Sequence, residues 1–276
     1  MPELPEVEHV TNALRPIMAG RAIERAELIR ARLAPDTTPK TFARRLAGST
    51  IESVTRRGKH ILLGLDNGCT LIVHLRMSGR FHLLGPDDTD PKFSHAIFYL
   101  ADGNRLVFED QRHFGLMKIV NTTDLADTKE LAKLAPEPFS DDFTADYLGG
   151  ILKRSNRVIK EFLLDQTKVC GVGNIYASEV LFLSGISPRK RSRGIRGQKI
   201  AVLHENVRVI LEEAIELTKT IVPDPVVIGE GVYGNGSLMR WRVYDREGEP
   251  CPICDTPIKR IRQGARSTYY CSQCQR

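Results

Sequence analysis

The sequence predicts a multidomain α+β chain: a strand-rich first half of β-sandwich or barrel type, a helical second half, and a small cysteine-held module at the C-terminal end. Three observations carry that expectation. From residue 23 to residue 120, short apolar or alternating runs are separated by turn-forming clusters. Beyond residue 143 the apolar period lengthens to three- and four-residue steps. Four of the six cysteines then stand close together at positions 251, 254, 271 and 274.

A chain of 276 residues accommodates two to three small domains. Its hydrophobic content of 41% supports packed cores and excludes a disordered chain. No apolar run reaches the ~18 residues of a membrane span, so no membrane partner is expected, and no charged-then-apolar leader opens the sequence. The clustered cysteines fit a reducing compartment better than a disulfide framework. The formal charge of +6 is a mild bias toward anionic partners. Position says more. Arg189, Lys190, Arg191, Arg193, Arg196 and Lys199 form one block without an acid, and Lys259, Arg260, Arg262, Arg266 and Arg276 form another. A solvated loop accounts for either block alone; the pair favours phosphate contact.

Taken in order, residues 5–18 read as a helix, with Pro5 suited to a first turn and Val7, Val10, Leu14 and Ile17 on one stripe. Strand-like runs follow at Ile61-Leu62-Leu63, Leu71-Ile72-Val73, Ala96-Ile97-Phe98 and Arg105-Leu106-Val107-Phe108. Asp66-Asn67-Gly68, Gly85-Pro86-Asp87-Asp88 and Ala101-Asp102-Gly103-Asn104 supply the turns between them. Cys69 and Cys170 read as packed or incidental thiols. The acidic segment 124–142, with Pro136 and Pro138, reads as a linker. Helical stripes cover 147–164, 176–183 and 199–221, the last closed by Pro223 and Pro225. Residues 239–244 read as a strand leading into the cysteines. The division expected is therefore 1–123, a linker 124–142, a helical domain 143–225, and a C-terminal region 226–276 whose cysteine module occupies 241–276.

Cys251-x2-Cys254-x16-Cys271-x2-Cys274 is zinc-ribbon spacing. Each Cys-x2-Cys pair can sit on a tight turn and offer two thiolates to one tetrahedral ion. So small a segment has little core, and metal binding would supply much of its folding energy. Four thiolates leave no open coordination position, so one structural Zn2+ is expected rather than a catalytic one. A redox role for one pair competes poorly with two pairs at this spacing. The basic residues within the module, Arg262 and Arg266 above all, tilt it toward phosphate.

The opening Met1-Pro2-Glu3-Leu4-Pro5-Glu6-Val7-Glu8 admits two readings. One is a helix start with proline and glutamate in its first turn. The other is chemical. Methionine removal would leave a secondary amine on Pro2, and an α-amine titrates near pH 8, roughly two units below lysine. Such an amine condenses with an aldehyde-like carbon to a cationic iminium, an electron sink for later elimination, with Glu3 beside it to move protons. Helix chemistry alone favours the first reading.

That opening resembles the N-terminus of the formamidopyrimidine-DNA glycosylases, the Fpg/MutM branch of the Fpg/Nei family. The resemblance spans the chain in order through Arg56-Arg57-Gly58-Lys59-His60, His74-Leu75-Arg76-Met77-Ser78-Gly79, Asp110-Gln111-Arg112-His113-Phe114-Gly115, Gly171-Val172-Gly173-Asn174-Ile175-Tyr176-Ala177 and the four cysteines. It implies an N-terminal β-sandwich with flanking helices, a helix–two-turn–helix domain and a C-terminal zinc finger. It also implies a monomeric, bacterial, cytoplasmic base-excision enzyme acting on damaged double-stranded DNA at the nucleoid. By the same resemblance the Pro2 amine attacks C1′, displaces an oxidised or ring-opened purine such as 8-oxoguanine or a formamidopyrimidine, and cuts the strand by β- and δ-elimination. Glu3 is the acid/base partner, Glu6 a support near the nucleophile, and Lys59 a phosphate contact in the catalytic set. Met77, Arg112 and Phe114 fill the space left when the base is flipped out. Asn174 and Arg266 clamp phosphates, and Lys160 matches a lysine near the active site, where a solvated helix lysine is the bland alternative.

The chain also departs from the family pattern. His60 replaces a tyrosine-type residue, His113 the second residue of the usual Arg-Arg-Phe, and Arg76 a glycine. Pro225-Val226-Val227-Ile228-Gly229-Glu230-Gly231 stands where members that cap an oxidised purine carry Thr-Thr-Leu, within a divergent region 223–239. The preferred lesion is therefore open. An endonuclease VIII-like preference for oxidised pyrimidines is the close alternative, against which Leu4 argues because those enzymes have glycine there. A catalytically silent damage-binding protein is the distant one.

Overall fold

The structure, a computed structural model, describes residues 2–221, 224–229 and 241–276. The chain divides into two compact units, one of residues 1–132 and 218–238, the other of residues 133–217 and 239–276.

In the first unit, helix α1 (Leu4–Met18) precedes strand β1 (Ala22–Leu28), helix α2 (Pro39–Leu46) and strands β2 (Ser49–Arg57), β3 (His60–Leu65), β4 (Cys69–His74), β5 (Gly79–Leu84), β6 (Ser94–Leu100), β7 (Arg105–Asp110) and β8 (Leu116–Asn121). A two-residue strand β9 (Val227–Ile228) returns late in the chain and pairs with β5. The strands run in the order β8-β4-β3-β2-β1-β6-β7-β5-β9, all antiparallel. The β1–β2 seam is only two residue pairs long, Ala22 with Thr50 and Ile23 with Ser49. It is a corner joining two sheets. Val54, Ile61, Leu71 and Val73 from one sheet and Phe81, Phe98, Leu106 and Phe108 from the other share one core with Val7, Val10 and Leu14 of α1. That is the expected sandwich with flanking helices.

Two departures from the sequence reading have local causes. The stretch before β2 contains α2, because Thr38 caps the Thr41 N–H at 3.2 Å and Pro39 occupies the first turn. The segment 124–142 is packed rather than free. Glu130 pairs with Lys118 at 3.3 Å within the first unit, while the Pro138 carbonyl accepts from Arg208 at 3.1 Å within the second.

The second unit holds α3 (Ala145–Lys153), α4 (Ile159–Leu163), α5 (Asn174–Leu183), α6 (Gln198–Thr218) and the hairpin of β10 (Lys259–Gln263) with β11 (Arg266–Tyr270). The stripe at 147–164 is two helices rather than one. The chain breaks at Arg154–Val158, where Ser192 and Arg193 donate to the Arg157 and Ser155 carbonyls and the helical ladder is interrupted. The described part of 239–244 is not a strand. Its N–H groups turn to a buried carboxylate instead, as shown below. Residues 230–240 and 222–223, which include most of the divergent capping region and the start of that expected strand, lie outside the described residues.

Candidate functional site

In the first unit, Glu3 caps α1. Its N–H donates to the Glu6 carboxylate at 2.7 Å, and the Glu3 side chain in turn receives the Glu6 N–H, a reciprocal capping box. Pro2, Glu3 and Glu6 are all buried. The helix-start reading of this segment holds, and the capping box fixes the backbone next to Pro2. Lys59 sits in the two-residue turn Gly58-Lys59 between β2 and β3, with Gly58 at φ 59°, and is 5% exposed. Arg56 ties that turn to α1 through Glu8 at 2.6 Å and to the Gly58 carbonyl at 2.9 Å.

The three residues expected to fill a vacated base position come from two turns. Met77 lies between β4 and β5, Arg112 and Phe114 between β7 and β8. Met77 is 38% exposed and Phe114 50% exposed, so neither is a core residue. The Arg112 guanidinium lies 5.6 Å from the Phe114 ring centroid. One buried carboxylate joins the turns: Asp110 accepts from the Ser78 hydroxyl of the first and from the Arg112 N–H (3.2 Å) and Gly115 N–H (2.6 Å) of the second. Burial pushes the Asp110 carboxyl up, but the hydrogen bonds from Ser78, Gly115, Arg112 and Phe114 outweigh it and hold the group below its ordinary range. Both turns also press on Phe108. A Cβ on Gly79 would stand 2.7 Å from that ring and one on Gly115 2.9 Å, so only glycine allows the approach at either place.

Arg76 takes the left-handed conformation, φ 53°, which explains why the family has glycine there. Its N–H donates to Nδ1 of His74 at 3.0 Å, a bond that requires a neutral acceptor. Burial first, then the His60 ring, Arg76 and Lys59, push His74 down to about 2. His60 packs edge-on against it, ring centroids 4.7 Å apart, and burial with the Arg76 charge pushes it down to about 4. This pair is a neutral, acid-sensitive floor beneath the Met77 turn.

In the second unit, α4 and α5 are joined by a ten-residue double turn, 164–173. Gln166 knits it: its amide donates to the Leu164 and Val172 carbonyls at 3.1 and 2.8 Å and accepts from the Gly171 N–H at 2.9 Å. Lys160 is 1% exposed, so the solvated-lysine reading fails. Its ammonium donates to the Asn174 carbonyl at 3.1 Å and the Ser178 hydroxyl at 2.6 Å, gripping the first turn of α5. Asn174 donates through Nδ2 to the Ser267 carbonyl at 3.0 Å, next to Arg266. Its Oδ1 is buried with no hydrogen-bond partner. Arg266 is exposed at the start of β11, after a tight turn in which Gly264 (φ 50°) and Ala265 (φ 63°) both have positive φ.

Glu179 of α5 is 1% exposed, and its carboxylate accepts the N–H groups of Arg242, Val243 and Tyr244 at 2.8, 3.0 and 2.9 Å. It anchors the approach to the cysteine module. There Cys251 and Cys274 are 3.8 Å apart at sulfur, and Cys254 is 3.5 Å from both Cys271 and Cys274. All four ligand atoms lie within 4.8 Å of one another. Zn–S bonds of ~2.3 Å in a tetrahedron place sulfurs about 3.8 Å apart, so the residues fit the ion. Burial, then the Cys254, Cys271 and Cys251 sulfurs, push the Cys274 thiol up to about 12, a conflict that a shared divalent cation removes. The N–H groups of Ile253 and Cys274 point at the Cys251 and Cys271 sulfurs, both at 3.5 Å.

Family models match the whole architecture: the formamidopyrimidine-DNA glycosylase N-terminal domain over residues 1–117, its H2TH domain over 134–225, and a zinc finger found in FPG and IleRS over 248–276. The chain belongs to the formamidopyrimidine-DNA glycosylase family. It is 42% identical to the formamidopyrimidine-DNA glycosylase of Ruegeria pomeroyi, with both chains covered in full. Among solved structures it is similar, with a TM-score of 0.90, 32% identity and 99% of each chain covered, to Lactococcus lactis Fpg in complex with N7-benzyl-Fapy-dG containing DNA. A complex of the same protein with DNA containing an oxidized pyrimidine gives a TM-score of 0.88 at 32% identity, again over 99% of each chain.

Within this family fold, the residues that sequence reasoning missed are the ones that hold the named ones. Asp110, Gln166 and Glu179 are buried or half-buried polar groups with several backbone partners each. Asp110 stood inside a quoted motif, and its spacing to Gly115 was visible. Nothing local marks Glu179, whose partners lie more than sixty residues away.

Proposed function

We propose that this chain is a bifunctional DNA glycosylase and AP lyase of base excision repair that removes oxidised or ring-opened purines. The observation that carries the reading is the pair of exposed apolar side chains, Met77 and Phe114, with Arg112 beside them, on two turns locked to one buried carboxylate. Such prongs suit occupation of the space a flipped nucleotide leaves, where loss of stacking and pairing takes a few kcal/mol. Arg112 faces the orphaned opposite base, and Met77 and Phe114 fill the stack.

With Met1 removed, the Pro2 nitrogen is a secondary amine at the head of a capped helix. It attacks C1′ of the damaged nucleotide, the C1′–N bond to the base breaks, and opening of the sugar leaves an iminium between Pro2 and C1′. Loss of a C2′ proton expels the 3′ phosphate, and a further elimination expels the 5′ phosphate. Glu3 exchanges protons with the sugar oxygen, and Glu6 fixes the Glu3 backbone through the capping box. Lys59 in the first unit and Asn174 and Arg266 in the second contact phosphates. Lys160 acts through Asn174, whose turn it holds. The zinc ion supplies no chemistry at the sugar; it closes the module that carries Arg266. The functional segments are 1–123, 143–225 and 226–276, the last lending β9 to the sheet of the first unit, in a monomer working in the bacterial cytoplasm.

Borohydride trapping on duplex DNA with an abasic site tests the proposal. The processed protein forms a covalent adduct, Pro2→Gly largely loses it, and Glu3→Gln loses base excision about 100-fold or more while cutting a preformed abasic site more nearly normally. Absence of any adduct with correctly processed protein refutes the reading. A lesion panel checks the preference: oxidised and ring-opened purines should be excised faster than oxidised pyrimidines.

A further inference from the structure

The turn that carries Arg112 and Phe114 has a second anchor besides Asp110, and it is built from two histidines. His95 lies where the β6–β7 ladder shifts register between Ser94 and Ala96, an irregularity of the kind that re-aims a side chain. Its backbone carbonyl accepts from the Ile29 and Arg30 N–H groups at 2.9 and 3.1 Å, and the residue is 3% exposed. Across the turn, His113 stands between Arg112 and Phe114 in the left-handed conformation, φ 60°. Nε2 of His95 and Nδ1 of His113 are 2.9 Å apart. The Phe93 ring packs edge-on against His113, centroids 5.9 Å apart, with the Lys92 ammonium 5.5 Å from the Phe93 centroid.

We propose that His95, through this bond to His113, is a positioning residue for the Arg112–Phe114 turn, and that the bond makes duplex opening acid-sensitive. The argument rests on the wedge role assigned above. Two facing ring nitrogens share a hydrogen bond only while one of them lacks a proton. With both rings neutral, or one charged, the bond stands; with both charged, N–H faces N–H and the turn loses its second anchor. The charged groups facing His95 act in both directions. The Asp110 carboxylate and backbone carbonyl favour a charged ring, whereas Arg30, His113 and above all burial oppose it, and the balance lowers the His95 pKa. Burial thus keeps His95 neutral at neutral pH, where the bond is intact, and the bond is lost only when N–H faces N–H.

The test compares binding to a duplex containing a tetrahydrofuran abasic analogue with binding to the same damaged strand alone, from pH 7.5 to 5.5, using the full zinc-loaded protein. A single strand needs no wedge, so the ratio of the two affinities reports the turn, and cleavage of a natural abasic site in both substrates is followed in parallel. In the wild type the duplex-to-single-strand ratio should fall about tenfold across that range. His113→Asn keeps a donor at the same position, tolerates positive φ and does not titrate, so its ratio should stay at the neutral-pH wild-type value throughout. His95→Phe should give a low, flat ratio at every pH. A pH-independent wild-type ratio, or an unchanged ratio in a folded His95→Phe, overturns the proposal. Failure of cleavage on both substrates with the pH-dependent binding ratio intact instead refutes the lyase reading and leaves the histidine pair standing.

Discussion

The turns that carry Met77 and Phe114 in the first unit and the hairpin that carries Arg266 in the second are both short and exposed, yet they are held by different physics. The first pair is pinned by neutral or anionic side chains drawn from the surrounding sheet, chiefly Asp110, with His74 and Phe108 beneath. A sandwich core of more than twenty buried apolar residues already exists to support them. Among the described residues the hairpin shares a small apolar cluster with Phe182, Val243 and Ile258, to which it adds Tyr269, and it is closed by four cysteines. Where a core is large, a single buried carboxylate is enough to order a loop; where it is small, a metal has to supply the closure.

Stripping the zinc should break the comparison most sharply. Structural zinc contributes on the order of 10 kcal/mol to such modules. Chelation verified by metal analysis should expose residues 241–276 to protease and lower damaged-duplex affinity by at least 100-fold, while hydrogen exchange in β1–β8 stays protected. Full affinity after verified metal loss would contradict the assignment of Arg266.

Next in size are the two carboxylate anchors. Asp110→Ala leaves the Gly115 N–H and the Ser78 hydroxyl without their acceptor, while the Arg112 N–H keeps the Ser78 hydroxyl oxygen at 3.0 Å, and Glu179→Ala removes the acceptor of three backbone N–H groups. Each should lower unfolding free energy by about 3 kcal/mol. The functional signatures should differ. Asp110→Ala should impair duplex substrates far more than a single-stranded abasic site, whereas Glu179→Ala should speed zinc release to a chromophoric chelator.

The histidine floor gives a pH-dependent effect confined to the first unit, smaller per side chain than either anchor. His60 and His74 have folded pKa values of about 4 and about 2, below the unfolded ~6.5. The unfolded chain therefore binds more protons below pH 6.5, and stability falls as pH drops through that value toward the folded pKa values. At pH 5 the loss is about 2 kcal/mol per ring. Denaturant titrations at pH 7.5 and pH 5 measure it, and His60→Phe should remove about half of the difference. The smallest effect is a gain: Arg76→Gly relieves a left-handed arginine and should stabilise the first unit by up to about 1 kcal/mol, read as a rise in melting temperature.

How much was legible beforehand depended on the range of the interaction. The four-cysteine spacing, the Pro2–Glu6 opening and the turn glycines are local in sequence; the structure gathers the four sulfurs within 4.8 Å of one another and folds the opening into a capped helix start. The strands and most helices were legible for the same reason, since period and turn chemistry act over a few residues. Lys160 shows the limit. Its helix and its family position were readable, but whether its ammonium met water or the start of α5 depended on a partner fourteen residues away across a double turn. The strand expected at 239–244 failed similarly, because its described N–H groups found Glu179 rather than a neighbouring strand.

The sequence by itself determined the residue types and their spacing: a proline and two glutamates at the opening, four cysteines at zinc-ribbon spacing and two basic blocks without an acid. Tertiary structure decided which groups are held still. That Asp110 locks two turns, that Glu179 anchors the cysteine module and that His95 meets His113 are consequences of buried polar groups needing partners, and the partners come from wherever the fold brings a donor within reach.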